Sequence, residues 1–266
     1  MKKKSEILPN NICFITHQLE HLHNVSVSIS FKAGSLYESK YNNGISHLVE
    51  HLFFRQLSDL SQESLYFNMQ KIGGEITGKT YCDYVTFSIN VIPQYLYDAL
   101  DIMLKFFDDF EWSNSIILKE KEVVLRQIEN KAYSYNQWID SIYFDNTKYT
   151  LPIMGTKKTV KSLTAFEINS WKKEYFSPTN SCVTITGNFS NEFYDFLKQK
   201  LSIINNFGKK QDPIIEIAPN FTKRNSDNYL TVINADSKLS EVVVLFDIKN
   251  SFDYESVKLI TSILSD

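Results

Sequence analysis

The stretch Val25-Ser26-Val27-Ser28-Ile29-Ser30-Phe31 alternates without a break between apolar and hydroxyl-bearing residues. A period of two belongs to a strand, because successive side chains point to opposite faces of a sheet. The chain must therefore build a sheet with one packed face and one wet or lightly packed face. Tyr84 to Val91 repeats the pattern, with Val85, Phe87, Ile89 and Val91 on one face, and Pro93 closes it. Cys182 to Thr186 is a further strand, ending at Gly187-Asn188.

Between these strands the period changes to that of a helix. Helical patterns start after Asn43-Gly44, run from Tyr95 to Phe107, and resume after Trp112-Ser113-Asn114 through Gln127 and beyond. Two more cover Leu163 to Tyr175, stopped before Pro178, and Asn191 to Leu201. Several neighbouring strands can pair antiparallel. The expected class is α+β, a mixed and largely antiparallel sheet with helices packed on one face. Residues 1–207 read as one domain, and 208–228, with Lys209-Lys210, Pro213 and Pro219, as a linker. Strands at Tyr229 to Ile233 and Glu241 to Ile248, then a helix from Ser256, suggest that 229–266 begins a second similar domain, truncated in mid-helix. A chain of 266 residues, 43% of them hydrophobic, can bury one sizeable core, and the last segment is too short to close one alone.

Charge narrows the partners. The net charge is −3 at pH 7 with acids and bases interspersed, so no basic stripe invites nucleic acid. No apolar run reaches the length of a transmembrane helix. The opening Met1-Lys2-Lys3-Lys4 lacks a following apolar segment and reads as a solvated tail rather than a signal peptide. Cys13, Cys82 and Cys182 are far apart in sequence and none has metal-ligand spacing. They read as reduced, which points to the cytoplasm.

The chemistry concentrates in His47-Leu48-Val49-Glu50-His51. Ile45, Leu48, Val49 and Leu52 form the buried stripe of its helix. His47 and His51 are four apart and stack on another face. Two imidazoles one turn apart can hold one zinc, and a neighbouring carboxylate can serve as a base. A pair of histidines with a glutamate also arises on ordinary solvated helices, so these five residues leave both readings open. His17 and His21 would match ligand spacing only on a helix, and their segment, which also holds His23, reads as turns. The 15 tyrosines and 19 phenylalanines could line a peptide cavity, and core packing accounts for most of them.

The wider sequence resembles the insulinase, pitrilysin and mitochondrial-processing family of zinc metallopeptidases. Gly44 to Phe54 looks like that family's inverted His-x-x-Glu-His signature. Gly73-Gly74-Glu75-Ile76-Thr77-Gly78-Lys79-Thr80 resembles its double-glycine turn and substrate-receiving edge strand. Glu120 to Leu125 resembles the helix that brings the third zinc ligand. Tyr175 to Asn180 and Ile185 to Asn188 resemble the closing strand of the first domain. The likeness spans about residues 10 to 205. It implies a zinc-dependent endopeptidase of extended peptides, with leader or precursor peptides as possible substrates. Glu50 would take a proton from water and pass it to the leaving amine, while His47 and His51 hold zinc.

Two departures stand out. The family's glutamate ligand falls on Gln127, a neutral amide, and Glu129 lies about 200° around the helix from it. Glu120, one heptad earlier on the same face, is expected to support the site. Where relatives carry Asn-Ala, this chain has Thr77-Gly78. Gly74, Glu75, Ile76, Thr77 and Gly78 are expected to receive substrate through main-chain pairing, which tolerates that change. The resemblance further implies a second peptidase half that completes the chamber, either this chain's own further domain or a partner. The alternative is a non-catalytic or weakly active peptide-binding subunit that lost its metal, and Gln127 is the feature favouring it.

Overall fold

A computed structural model describes residues 2–130 and 148–211. The expected linker beyond 211, the strands and helix of 229–266, and Trp138 lie outside the described residues. The chain divides into two compact units, Met1–Asn220 and Phe221–Asp266, and every element below belongs to the first.

The main sheet has six strands, β1 (Lys2–Ile7), β2 (Cys13–Gln18), β3 (Val25–Phe31), β6 (Glu75–Thr80), β7 (Val85–Val91) and β8 (Ser181–Gly187), in the order β1-β2-β8-β3-β7-β6. All neighbours pair antiparallel except β2 with β8, which run parallel. The short strands β4 (Gln56–Leu57) and β5 (Leu60–Ser61) form a separate ribbon. The helices are α1 (Ile45–Arg55), α2 (Gln62–Lys71), α3 (Leu96–Leu104), α4 (Asn114–Asn130), α5 (Lys157–Ser162), α6 (Ala165–Tyr175) and α7 (Asn191–Ser202). This is the expected α+β class.

The alternation read in β3 sets the layering. Val25, Val27, Ile29 and Phe31 are buried, as are Val85, Phe87, Ile89 and Val91 opposite them. Their outward neighbours satisfy one another: Ser28 and Ser88 share a hydrogen bond of 2.8 Å, and Ser30 donates to Thr86 at 3.0 Å. Hydroxyl pairs across strands keep that face ordered without an apolar layer.

Two sequence expectations change, at Lys2 to Lys4 and at residues 208–211, and one further helix appears. Lys2 to Lys4 belong to edge strand β1, paired with β2 in register Lys4↔Thr16 and Ile7↔Cys13, and are no free tail. Lysines on an edge strand discourage another chain from adding there. Helix α2 was not apparent in the sequence because it buries only Leu65 and Met69. Its start is set by Ser61, whose hydroxyl accepts from Ser64 N. The helix expected over Leu163 to Tyr175 is α6, which starts two residues later at Ala165, with Thr164 capping it by a reciprocal pair of hydrogen bonds with Glu167. Residues 208–211, expected to open the linker, are tied to the body: Gln211 N donates to Asn180 Oδ1, and Lys32 donates to Gln211 O.

The phenylalanines are mostly core, as composition suggested. Phe53 on α1 is fully buried and its ring meets those of Phe87, Phe106, Phe110, Trp112 and Phe176. It joins α1 to β7, to the segment after α3 and to the end of α6. Replacing it with alanine removes partners from all of them and leaves a cavity. Phe53→Ala is expected to destabilise by about 3–5 kcal/mol, read as a lower urea midpoint with an unchanged slope.

Candidate functional site

Three elements converge on the histidine pair: α1, which carries it, α4, which crosses it, and edge strand β6.

Helix α1 starts at Gly44, whose left-handed φ of 94° leaves no side chain to cap the first turn. A carboxylate from earlier in the chain does that work. Glu38, 1% exposed, accepts from Gly44 N at 2.7 Å and from Ser46 N at 2.9 Å. Burial pushes its carboxyl up, and these amide donors partly offset the effect. Ser46 Oγ in turn accepts from Gly34 N and Trp171 Nε1. The residue beside His47 is thus fixed to α6 and to the turn after β3.

His47 and His51 share one face, their rings edge to face with centroids 4.6 Å apart. That face is only partly open to solvent, because α4 packs across it. Their side chains are only 14% and 17% exposed. Helix α4 runs antiparallel to α1, so Glu120 meets the C-terminal end and Gln127 the N-terminal end. Glu120 is buried, and its Oε1 lies 2.9 Å from His51 Nδ1. Its Oε2 accepts from Arg55 Nε at 2.8 Å, and Arg55 also donates to Gln62 Oε1. Burial alone would raise the Glu120 carboxyl, but the bonds from His51 and Arg55 and the guanidinium charge hold it below the usual glutamate range. Gln127 Oε1 stands 3.3 Å from His47 Nε2. Glu129 points elsewhere and pairs with Lys157.

Glu50 is buried between α1 and β6. Thr80 Oγ1 donates to its Oε2 at 2.5 Å, and His47 Nδ1 is 3.5 Å from the same oxygen. Burial pushes this carboxyl up. The contacts with His47 and Thr80, and the nearby His51, bring it below its ordinary value.

Strand β6 is an edge of the sheet, paired only with β7 among the described residues. The turn before it is the expected double glycine: Gly73 takes φ 61° after α2, and Gly74 packs so closely that an added Cβ would lie 2.7 Å from Val91. Ile76 turns into the core, so only its main chain faces outward, as strand addition needs. Glu75 and Thr77 lie on the opposite face from Ile76, while Gly78 faces Glu50 and Phe54.

The site's chemistry fits a zinc ion imperfectly. His51 Nδ1 is engaged by Glu120, which would leave Nε2 to a metal, the orienting arrangement metal histidines use. Among the described residues His47 Nδ1 is buried without a hydrogen-bond partner, and its Nε2 faces the Gln127 carbonyl. Among the described residues no three His, Cys, Asp or Glu side chains cluster as a metal site. The third donor would be the amide oxygen of Gln127, an uncharged ligand in a position zinc usually fills with imidazole, thiolate or carboxylate.

Arg55, Thr80 and Glu38 were not singled out in the sequence. Thr80 had a signal, since strand parity puts residues 76, 78 and 80 on one face. Arg55 and Glu38 had none, because their partners lie far along the chain or in an irregular turn.

Comparison with known proteins agrees with this fold. A family model described as insulinase (peptidase family M16) matches residues 14–157. An uncharacterized zinc protease of Bacillus subtilis strain 168, YmxG, is 26% identical over 192 residues, which are 69% of this chain and 46% of that protein. A protease from Helicobacter pylori superposes with a TM-score of 0.72 at 20% identity, covering 80% of this chain and 53% of the other. A structure from Pseudomonas fluorescens, named as a peptidase M16 inactive domain, gives 0.71 at 12% identity with the same coverage. The chain spans about half the length of the curated relatives it matches.

If Gln127 occupies the third position, a carboxylate there should bind zinc better, because it adds charge to a neutral ligand set. Gln127→Glu is expected to tighten zinc by ~10-fold or more in a competitive titration, an order of magnitude typical of changes at ligating or supporting positions. Equal or weaker binding would remove residue 127 from the metal's surroundings.

Proposed function

The chain belongs to the insulinase family, peptidase family M16, and from that premise we propose that it is the metal-bearing part of a zinc-dependent endopeptidase. The observation that carries the proposal is the meeting of His47 with Gln127 and of His51 with Glu120 across the α1–α4 contact, with the Glu50 carboxylate beside His47. His47 and His51 would hold zinc with the Gln127 carbonyl, and Glu120 would keep His51 in the required tautomer. Zinc bound there would act as a Lewis acid toward the scissile carbonyl and make water more acidic. Glu50, buried and deprotonated near neutral pH, would accept the water proton and return it to the departing amine. An extended peptide would add to the free edge of β6 along Glu75 to Thr80 through main-chain hydrogen bonds. Peptides with an accessible extended stretch, such as leader or precursor segments, suit that mode.

The proposal includes a second half. A site that faces bulk water loses much of the electrostatic stabilisation a closed chamber provides. That the chain spans about half of its curated relatives supports a facing half, supplied by further chain or by a partner. A second reading, a peptide-binding subunit with little or no activity, is favoured by one specific observation: the third metal position is an exposed, neutral amide.

Glu50→Gln separates the readings. The amide keeps the shape of the carboxylate and cannot act as a base. In zinc-loaded protein it is expected to lower peptide cleavage by at least ~10²–10⁴-fold while leaving zinc stoichiometry unchanged. Cleavage at the unsubstituted rate would remove Glu50 from the mechanism. A parent protein that binds extended peptides and never cleaves them would favour the second reading.

A further inference from the structure

On β6, residues 76, 78 and 80 share the face turned toward α1. Ile76 enters the core. Gly78 leaves room that Glu50 and Phe54 fill: an added Cβ would stand 2.8 Å from Glu50 Oε1 and 2.5 Å from the Phe54 ring. Thr80 donates its hydroxyl to Glu50 Oε2. The other oxygen, Oε1, receives no hydrogen bond among the described residues.

We infer that Thr80 is a positioning residue, whose hydroxyl holds Oε2 of Glu50 so that Oε1 is kept free as the proton-accepting oxygen. This rests on the peptidase reading above. A glutamate has three side-chain torsions and must present an oxygen within hydrogen-bond reach of the proton it takes. A strong donor on one oxygen and close contact with Gly78 on the other remove most of that freedom. The donor sits on the strand whose outer edge would pair with substrate. Base and substrate register are therefore set by one rigid element, the condition for a site held to within a fraction of an ångström. Misplacement by about 1 Å is enough to cost ~10²-fold in rate. Among the described residues Thr80 hydrogen-bonds Glu50 and none of the proposed metal donors, so its contribution is assigned to turnover and not to metal binding.

Two substitutions isolate the hydroxyl. Thr80→Val keeps the β-branched shape suited to a strand and removes the donor, and Thr80→Ser restores the donor. In the zinc-loaded full chain, assayed with a fluorogenic peptide that the parent cleaves, Thr80→Val is expected to lower kcat by ~10–100-fold. KM and zinc affinity should stay within about twofold, and Thr80→Ser should return kcat to within about threefold of the parent. A Thr80→Val protein with full kcat, a Thr80→Ser protein as slow as it, or a loss of kcat that follows zinc affinity would overturn the assignment. A second readout needs no turnover. In NMR spectra of threonine-labelled protein, the Thr80 hydroxyl proton should exchange slowly and that protection should vanish in Glu50→Ala. If the parent cleaves no peptide, the peptidase reading fails and this readout decides the assignment by itself. A Thr80 hydroxyl that exchanges at the rate of exposed threonines would refute it.

Discussion

The Glu120 carboxylate joins α4 to two residues of α1 that lie one turn apart, accepting from Arg55 on one oxygen and meeting His51 Nδ1 with the other. A buried carboxylate is costly unless its charge and lone pairs are matched, and here a guanidinium and an imidazole match them. The pairing also fixes how α4 lies along α1. With Glu120 set against His51, the antiparallel course of α4 brings Gln127, two turns later, to His47. Any slip of α4 by one residue would rotate Gln127 away by about 100° and unpair Arg55. The position of Gln127 beside His47 is therefore a consequence of an ion pair about 10 Å away along the same helix.

Helix α1 is buried on two sides for different reasons. Its apolar stripe, with Leu48, Val49, Leu52 and Phe53, packs into the aromatic core under the sheet. Its polar face is roofed by α4 and flanked by β6, which leaves the histidines mostly covered and Glu50 almost fully so. Coverage lowers the local dielectric and strengthens every contact there, and it also makes each unmatched group expensive. Glu38 answers the same problem at the helix start, where Gly44 brings no capping side chain.

The strands and the motif helix were legible because their information is local. Val25 to Phe31 and Tyr84 to Val91 carry their layering in a period of two, and the buried stripe of α1 follows from a period of 3.6. The family resemblance pointed to Gln127, and the structure sets that residue against His47. What the sequence hid was long-range pairing. Strand β1 is polar and lysine-rich, so nothing in Lys2 to Glu6 marks a strand until β2 is there to receive its hydrogen bonds. Arg55 reaches Glu120 across 65 residues, and Thr80 reaches Glu50 across 30. The expectation that the histidines project opposite the packed stripe held, but the helix that covers them could not be placed by periodicity.

An anionic third ligand would help neutralise a divalent ion, and Gln127 supplies only a dipole. The account therefore stands on whether the two histidines and the amide suffice to hold zinc. Zinc K-edge X-ray absorption on the purified chain after stoichiometric loading tests this most directly. The account predicts one zinc per chain with two imidazole nitrogens at ~2.0–2.1 Å and oxygen in the remaining positions, and loss of one imidazole in His51→Ala. Failure to retain zinc, or a metal environment unchanged by removing His51, would contradict it.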